Sequence, residues 1–450
     1  MKVLKFGGTS VIDAQAMKHV AEIVSDYPSV TIIVLSATAG TTDTLIQLVS
    51  RATKGQYDEF MKMKEELEVR HFTIIEELGL KADRSVCQAV RDIFSKLSMF
   101  LEGIYLLRES TNRVKDAIIS NGELLSTKIF AAYLKMSFSD IFWFDIRNVI
   151  MTDDHFGSAH VDMVSTQKNY NKVMKPLLKR CRFLVTQGFI GSTLNGLTTT
   201  LGRGGSDYTA TLMGNLSDAE TIEIWTDSNG VMTADPRFIP QAYSQRELSF
   251  KEAAELSYFG AKVLHPSTII PAMEKNLPVQ VKNTMNPKDP GTIIAHESQL
   301  IGQPKSIAFR RNITTVTIES SRMLNAYGFL ERIFDVFARY KVPIDLVSTS
   351  EITVSLTLEK TEHLDEIVEE LKGFSTVRTE DKMAIVSIVG EDIKNSQSFL
   401  KRTFHALDTL PIEMISFGAS NVNLSLVVPE IHVEEVVKKL HREFFELGKN

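Results

Sequence analysis

The chain has 450 residues, of which 43% are hydrophobic, so it can bury more than one core and two or three domains are expected. Its 50 Lys and Arg residues stand against 56 Asp and Glu residues, and the resulting net charge of -6 gives no general attraction to phosphate polymers or anionic lipid. We therefore expect neither nucleic acid nor a membrane as a partner.

Cysteine use and the N-terminal sequence favour a soluble, cytoplasmic protein. Cys87 and Cys181 lack the spacing of metal ligands and are expected to be buried free thiols. The chain enters a strand-like run at once, which leaves no room for a signal peptide, and no later window is apolar enough to span a membrane.

The first two thirds of the chain alternate strand-like and helix-like segments. Residues 57–135 are mostly helical by periodicity. Apolar runs that predict strands lie at residues 2–6, 30–35, 141–146, 182–190, 221–226 and 278–283. Consecutive β-α-β units predict a parallel sheet covered by helices, and ligands bind such sheets beyond the carboxyl ends of the strands. The loops after Phe6, Leu35, Ile190 and Trp225 are therefore the places to seek chemistry.

The last third of the chain contains an internal repeat, which follows a boundary rich in Pro and Gly near residues 285–305. Residues 344–348 (IDLVS) align with residues 412–416 (IEMIS), and the apolar residues of the next strand and helix keep this offset to within one residue. Each copy predicts the order strand, helix, strand, strand, helix, and the first copy has a further strand at 375–380. We predict two stacked βαββαβ units.

Two glycine-rich segments are candidates for anion binding. KFGGTS at residues 5–10 places Lys5 at the end of a strand and two glycines before a helix, so the main chain can approach a phosphate closely. LGRGGSDYTA at residues 201–210 follows a predicted hairpin and brings Arg203 and Asp207 to a helix start, where arginine can hold a carboxylate through two parallel bonds. The alternatives are an ordinary turn for the first segment, and a helix N-cap at Asp207 with a solvated arginine for the second.

Three further segments carry polar groups at the predicted strand or helix ends. The strand that ends in WTD at residues 225–227 and the polar loop at 230–237 could receive a ribose and a base. In FGAKVLHP at residues 259–266, Lys262 could reach phosphates, whereas His265 is expected to be structural. Glu123 begins an apolar helix, where it either favours the helix dipole or binds an ammonium group.

Together these segments resemble the aspartate kinase family of the amino-acid kinase superfamily, and the resemblance covers essentially the whole chain. The C-terminal repeats resemble ACT domains, which bind amino acids at their interfaces. The resemblance implies an α/β fold: an amino-acid kinase domain, with an open and mostly parallel sheet between helical layers, and two βαββαβ ferredoxin-like ACT units. The implied boundaries are 1–300 for the kinase domain, 305–380 for the first ACT unit and 381–450 for the second.

The resemblance implies ATP-dependent phosphorylation, with Mg²⁺, of the β-carboxylate of L-aspartate to 4-phospho-L-aspartate, the first step toward lysine, threonine and methionine. Lys5 would neutralise the transferring phosphoryl group, and Asp207 would orient it. ATP would contact Lys5, Gly7, Gly8, Ser10, Thr226, Asp227, Met232, Arg237, Lys262 and Val263. Aspartate would be held by Ser36, Thr42, Glu123 and Arg203, with Arg203 on the α-carboxylate and Glu123 on the ammonium. Met232 stands where many relatives carry a tyrosine, and Asp43 stands where asparagine is frequent.

The first repeat resembles the effector site of lysine-sensitive aspartate kinases. The implied effector residues are Met323, Ala326, Gly328, Phe329, Leu330, Ile344, Asp345, Ser350 and Glu351. Asp345 and Glu351 would hold a basic amino acid, while Ala326 replaces a serine of many lysine-binding relatives, so threonine or no effector stays open. A homodimer, or a dimer of dimers, through the ACT units is also implied.

Two other functions stay open from the sequence. One is a kinase for another acidic amino acid, such as glutamate or N-acetylglutamate, although Glu123 argues against an acetylated substrate because an amide has no ammonium group. The other is a catalytically silent amino-acid-binding regulator, against which the presence of Lys5, Arg203 and Asp207 argues. Because the chain ends directly after the second repeat, no fused dehydrogenase domain is expected.

Overall fold

A computed structural model describes residues 1–260, 264, 266–298, 300–323 and 327–447. The chain divides into two compact units, the first formed by residues 1–230 and 264–296 and the second by residues 231–263 and 297–450. The domain boundaries expected at residues 300, 305 and 381 stay predictions. No helix within the described ranges is long and apolar enough to cross a membrane.

Five of the six predicted apolar runs each contain one strand, whereas the run at residues 182–190 divides into two strands of different sheets, so the strand end predicted at Ile190 is wrong. The strands are named in chain order. They are β1 (Lys2–Phe6), β2 (Thr31–Leu35), β3 (Ile141–Phe144), β4 (Met151–Thr152), β5 (Phe183–Gln187), β6 (Ile190–Thr193), β7 (Thr198–Thr200), β8 (Thr221–Thr226), β9 (Glu247–Ser249), β10 (Val279–Asn283), β11 (Thr292–Ala295), β12 (Ser306–Glu319), β13 (Val347–Thr349), β14 (Thr353–Leu358), β15 (Thr376–Val389), β16 (Met414–Phe417) and β17 (Asn423–Pro429).

The helices include the helical layer predicted for residues 57–135, which is formed by α3 to α6. They are α1 (Ala14–Ser25), α2 (Thr41–Thr53), α3 (Tyr57–Glu77), α4 (Arg84–Leu107), α5 (Asn112–Ile119), α6 (Asn121–Leu134), α7 (Met163–Asn169), α8 (Lys175–Leu178), α9 (Gly205–Ser217), α10 (Phe250–Tyr258), α11 (Ile270–Glu274), α12 (Phe329–Arg339), α13 (Leu364–Lys372), α14 (Phe399–Ala406) and α15 (Val433–His441).

The first unit is built on a mostly parallel sheet with β1 near its centre. Its strands lie in the order β3, β5, β2, β1, β8, β10 and β11, and β11 runs antiparallel to β10. All five residues of β2 are buried, as expected of a parallel strand that is covered on both faces. Phe6 of β1 is in register with Leu35 of β2 and with Trp225 of β8, so the loops after these three strands emerge at one edge of the sheet.

A small second sheet in the first unit contains the predicted hairpin. β6 and β7 pair antiparallel, with Ile190 opposite Thr200, and β4 pairs parallel with β6. The hairpin leads directly into the glycine-rich segment before α9.

Both cysteines, Cys87 and Cys181, are buried free thiols, which confirms the prediction.

The two C-terminal repeats of the second unit share one antiparallel sheet. Its strands lie in the order β13, β14, β12, β15, β17 and β16. The end of β12 pairs with β14 and with the start of β15, whereas residues 306–310 at the start of β12 pair with residues 385–389. Each repeat has its own core, which includes Val316 and Ile333 in the first repeat and Ile388 and Val436 in the second. The second repeat therefore takes its sixth strand from the beginning of β12.

Candidate active site

The predicted lysine and aspartate meet at the edge of the first unit's sheet. Lys5 is at the end of β1, and its Nζ lies 2.7 Å from Oδ1 of Asp207 in the first turn of α9. Both side chains are largely shielded from solvent, with 13% and 16% of their surface exposed. The N-cap of α9 is Gly204, whose φ of 72° is left-handed, so the alternative interpretation of Asp207 as the N-cap is wrong. Asp207 instead holds an ammonium group at the strand edge.

The glycine loop after β1 packs tightly on the loop after β2. A Cβ atom at Gly8 would lie 2.8 Å from the carbonyl oxygen of Ala37, and the N–H of Ala39 donates to the carbonyl of Gly8 at 3.0 Å. Only glycine permits this approach. A Cβ at Gly7 would lie 3.8 Å from Lys5 Nζ, so the loop main chain runs beside the ammonium group.

Ser10 lies in the short 3-10 turn that follows the glycines and is buried. Its hydroxyl is 2.7 Å from the hydroxyl of Thr284, and either oxygen can be the donor. Hence the hydroxyl already has a protein partner, and its predicted phosphate contact stays a prediction.

Glu123 is a buried carboxylate in the first turn of α6, with 3% of the residue exposed. Its Oε1 accepts a hydrogen bond from the N–H of Ala37 at 3.1 Å, while Oε2 is buried without a partner among the described residues. Burial raises the pKa of Glu123 to about 8. A buried carboxyl with a raised pKa is a candidate functional group, and its binding of an ammonium group stays a prediction.

The same turn of α6 is held from both sides. The Ser126 hydroxyl donates to the carbonyl of Ser36 at 2.8 Å, and the Thr127 hydroxyl donates to the carbonyl of Glu123 at 2.7 Å. Gln187 Nε2 in turn donates to the Thr127 hydroxyl at 2.9 Å. These bonds fix the Glu123 backbone relative to the strand edge.

Ser36 belongs to the loop after β2, and Thr42 belongs to the first turn of α2.

Arg70 of α3, which the sequence did not reveal as a site residue, donates from Nη2 to the carbonyls of Ala39 at 2.9 Å and Ile12 at 3.0 Å. Arg70 therefore ties the loop after β2 to the segment before α1. An arginine in a long helix carried no signal of this role.

Arg203 lies in the glycine-rich loop before α9 and is exposed, with no hydrogen-bond or ion-pair partner in the described part of the chain.

The neighbouring hairpin is anchored by Asp116, another residue that the sequence did not reveal. Asp116 Oδ2 accepts from the N–H groups of Gly157 and Thr200, each at 2.9 Å, and Oδ1 accepts from the Thr200 hydroxyl at 2.9 Å. Burial raises the pKa of Asp116 even though these bonds favour its ionised form.

The predicted nucleotide residues fall in both units. Thr226 ends β8, and its hydroxyl lies 3.1 Å from Oδ1 of Asp227. Met232 and Arg237 belong to the second unit, where Arg237 is exposed and forms a two-pronged ion pair with Asp235. Lys262 and Val263, together with the neighbouring His265, lie outside the described residues.

The predicted effector residues lie in the first repeat of the second unit. Asp345 Oδ1 accepts a hydrogen bond from the Tyr258 hydroxyl at 2.9 Å and lies 3.7 Å from Nη1 of Arg310, while its Oδ2 is buried without a partner among the described residues. Burial raises the pKa of Asp345. Glu351, by contrast, is exposed.

The remaining predicted effector residues surround the start of α12 and the end of β13. Gly328 is the N-cap of α12, with a φ of 76°, and the Ser350 hydroxyl accepts from the N–H of Thr353 at 3.1 Å. Three of these residues pack on the core of the first repeat: Met323, Phe329 and Ile344. Leu330 is 39% exposed. Ala326 lies outside the described residues.

Within the described ranges, no three His, Cys, Asp or Glu side chains lie close enough to hold a metal ion. The glycine loop runs beside the Lys5 ammonium group, which is a charge suited to a phosphate, although the N–H of Gly7 already donates to the carbonyl of Trp225 at 3.2 Å.

Comparison with known proteins gives a consistent result. The model of the amino acid kinase family matches residues 1–283, and an ACT domain model matches residues 386–444. The chain is 37% identical to lysine-sensitive aspartokinase 3 of Escherichia coli strain K12, over 99% of both chains. It is also 37% identical to the chloroplastic aspartokinase 1 of Arabidopsis thaliana, over 99% of this chain and 80% of that protein.

Solved structures give the same result. The crystal structure of E. coli aspartokinase III in complex with aspartate and ADP, in its R-state, matches with a TM-score of 0.87 and 36% identity over 99% of this chain and 100% of that chain. The T-state of that protein, in complex with lysine and aspartate, matches with a TM-score of 0.82 at the same identity and coverage.

Proposed function

The chain belongs to the aspartokinase family, and we propose that it transfers the γ-phosphoryl group of ATP to the β-carboxylate of L-aspartate, which gives 4-phospho-L-aspartate. The observation that carries the proposal is the pairing of Lys5 with Asp207 beside the glycine loop. An ammonium group held at this edge of the sheet lies where ligands of parallel sheets bind.

The chemistry needs charge compensation more than proton transfer. A β-carboxylate with a pKa of about 3.9 is already ionised at neutral pH, so the attacking oxygen needs no general base. The barrier comes from bringing this anion to the γ-phosphate, and Lys5 with the N–H groups of the glycine loop would offset the repulsion. Asp207 would position the Lys5 ammonium. Mg²⁺ belongs to the proposal as a counter-ion held chiefly by the phosphates of ATP.

Glu123 and Arg203 are proposed to recognise the two ends of the amino acid. Glu123 Oε2, which has no partner in the described part of the chain, would accept a hydrogen bond from the substrate ammonium, whose charge would favour the ionised form of this buried carboxyl. Arg203 would bind the α-carboxylate, supported by its exposure in a loop that the Asp116-held hairpin positions. Ser36 and Thr42 would complete the site.

Lysine is the proposed effector, and the likeness to a lysine-sensitive relative supports this choice. Asp345 is a largely buried carboxylate whose Oδ2 has no partner among the residues that the structure describes, which suits the ammonium of a basic amino acid. Pairing of two chains through the ACT sheets is proposed as well, and sedimentation would establish the oligomer. The cytoplasmic location stays a prediction from the sequence.

A hydroxylamine trap tests the reaction directly, because an acyl phosphate reacts with hydroxylamine to give a coloured hydroxamate. We expect hydroxamate with aspartate and ATP, much less with glutamate, and none with N-acetylglutamate. Equal yields with glutamate would favour the other acidic substrate, and no ATP-dependent hydroxamate with any of the three would favour a silent regulator. Initial rates with lysine or threonine added would identify the effector, and a flat titration with both would exclude them.

A further inference from the structure

A cavity of about 730 Å³ lies in the first unit, beside helix α6. Its wall is formed by α4, α5 and α6, by the segment after β3, and by the turn of the β6–β7 hairpin. None of the described residues that were predicted to bind ATP or aspartate lines it. Helix α6 separates the two regions, since Glu123 contacts the loop after β2 while Leu124 and Lys128 line the cavity.

The size of the cavity suits a metabolite, because small-molecule sites typically occupy roughly 300–1,000 Å³. Its charged lining is predominantly basic. The four cations and two carboxylates in the wall are Lys96, Arg113, Lys128 and Arg147 against Asp92 and Asp145. An anionic ligand is therefore favoured over a cationic one.

Part of this charge is already neutralised inside the wall. Arg147 binds Asp145 through two hydrogen bonds, from Nη2 at 2.6 Å and from Nε at 2.9 Å. Asp92, by contrast, accepts from the neutral side chain of Gln88 at 2.8 Å and keeps its charge. Three cations of the wall form no ion pair with the described residues, and they stand against the one remaining carboxylate of Asp92: Lys96, Arg113 and Lys128, on three different helices.

Lys128 is the most constrained of these cations. It is only partly exposed, and its Nζ lies 3.7 Å from the centre of the Trp143 ring. Within the described residues no carboxylate forms an ion pair with it, and burial lowers its pKa. The charge of Asp145 favours the ionised lysine, but Asp145 is already bound by Arg147, so an oxyanion in the cavity would add a counter-charge of its own.

The rest of the wall is largely apolar. Ile93 and Phe100 of α4, Val114 of α5, Leu124 of α6 and Leu197 of the hairpin turn face the same space. A simple inorganic ion would leave this surface wet, whereas a ligand with a hydrocarbon or aromatic body would cover it.

We propose that this cavity binds a small organic anion, with its oxyanion next to Lys128 and its apolar body against the side chains of α4, α5 and α6. The shared chemistry is an oxyanion on an apolar body, and a carboxylate or a phosphate ester would satisfy it. This proposal does not depend on the function proposed for the neighbouring site.

Calorimetric titration of the full chain with three matched probes tests the proposal. The probes are 3-phenylpropanoate, phenyl phosphate and the neutral 3-phenylpropanamide, each titrated with ADP and aspartate present at saturating concentrations so that binding to the predicted active site does not interfere. We expect one equivalent of at least one anion to bind, and the amide to bind at least about tenfold more weakly, as expected when a charged hydrogen bond is lost. The tighter of the two anions identifies carboxylate or phosphate as the preferred group.

Variants locate the binding. Lys128→Met removes the charge but keeps the stem, and Lys135→Met makes the same change at the end of the same helix outside the cavity. We expect the first to weaken anion binding about tenfold and the second to leave it unchanged. Arg113→Met, on the exposed wall, gives an independent variant if Lys128→Met folds poorly. No binding of either anion at millimolar concentration, equal binding of the amide, or equal affinities in the Lys128→Met and Lys135→Met variants would overturn the proposal.

Discussion

Replacing Glu123 with glutamine separates the charge of this residue from its shape. The glutamine keeps an acceptor for the N–H of Ala37 and fills the same space, but it cannot form a charged hydrogen bond with the substrate ammonium. Such a bond contributes about 1.5–3 kcal/mol, so kcat/KM for aspartate should fall about 10- to 150-fold. The assay is ADP release at subsaturating aspartate, with ATP at saturation.

Succinate provides the matched substrate control because it is aspartate without the ammonium group. The wild-type chain should prefer aspartate over succinate by roughly the same factor, and Glu123→Gln should lose most of this preference while using succinate about as well as the wild type does. If the variant still strongly preferred aspartate, Glu123 would not be the group that binds the ammonium.

The same substitution should also change how the stability of the folded chain depends on pH. The pKa of Glu123 rises from an ordinary value of 4.5 to about 8 on folding, so between these values the folded chain holds a proton that the unfolded chain releases. Wild-type stability should therefore fall relative to Glu123→Gln as pH rises through this window, by at most about 1.4 kcal/mol per pH unit. Below this window Glu123 is protonated in both the folded and the unfolded wild-type chain, so the difference in stability between wild type and variant no longer changes with pH. A melting-temperature gap between variant and wild type that is the same at pH 5 and pH 8 would refute the reasoning.

Three other substitutions test the frame of the site and of the second unit. Lys5→Met should lower kcat by about 100- to 1,000-fold, the usual effect of removing one group that stabilises transition-state charge, while circular dichroism stays unchanged; a near-normal kcat would contradict its role. Gly8→Ala places a Cβ 2.8 Å from a main-chain oxygen and should destabilise the chain by about 1–3 kcal/mol, whereas Gly7→Ala, with its nearest contact at 3.7 Å, should melt within a few degrees of wild type. Lys305→Met leaves the buried carboxylate of Glu252, 3.3 Å away, without its cation and should cost about 3–5 kcal/mol in unfolding experiments; adding Glu252→Gln should restore part of the loss.

The features that sequence predicted well are those set by local pattern. Strands β1, β2 and β8 are buried apolar runs, and the helices of residues 57–135 have regular apolar spacing, so the chain itself specifies them. The family was recognisable because several glycine and charge motifs occur in a fixed order, and the matches to the kinase and ACT models confirm it together with the predicted aspartate kinase function.

The features that sequence did not predict depend on contacts between distant segments. Asp116 reaches Thr200, and Arg70 reaches Ala39, through bonds that no local pattern encodes. The repeat revealed two copies of one unit, but it did not reveal that residues 306–310 complete the second copy, because strand pairing across a sheet leaves no periodic signal. The N-cap interpretation of Asp207 failed for a local reason, since the left-handed Gly204 takes that position.

The two central ionisable groups of the proposed site are neutralised in different ways in the absence of ligands. The Lys5 ammonium is neutralised by Asp207, while burial favours the neutral form of Glu123 below its raised pKa. An isolated buried charge costs free energy of folding. A site that binds two anions and an ammonium group would therefore destabilise the fold if its own buried cations and carboxylates were all charged and unpaired without ligands. In the proposed reaction the ligands bring these charges with them: the aspartate ammonium favours ionisation of Glu123, and the phosphates compete with Asp207 for Lys5. A simple inorganic anion would gain the second interaction but not the first, which favours a substrate with an ammonium group beside its reacting carboxylate.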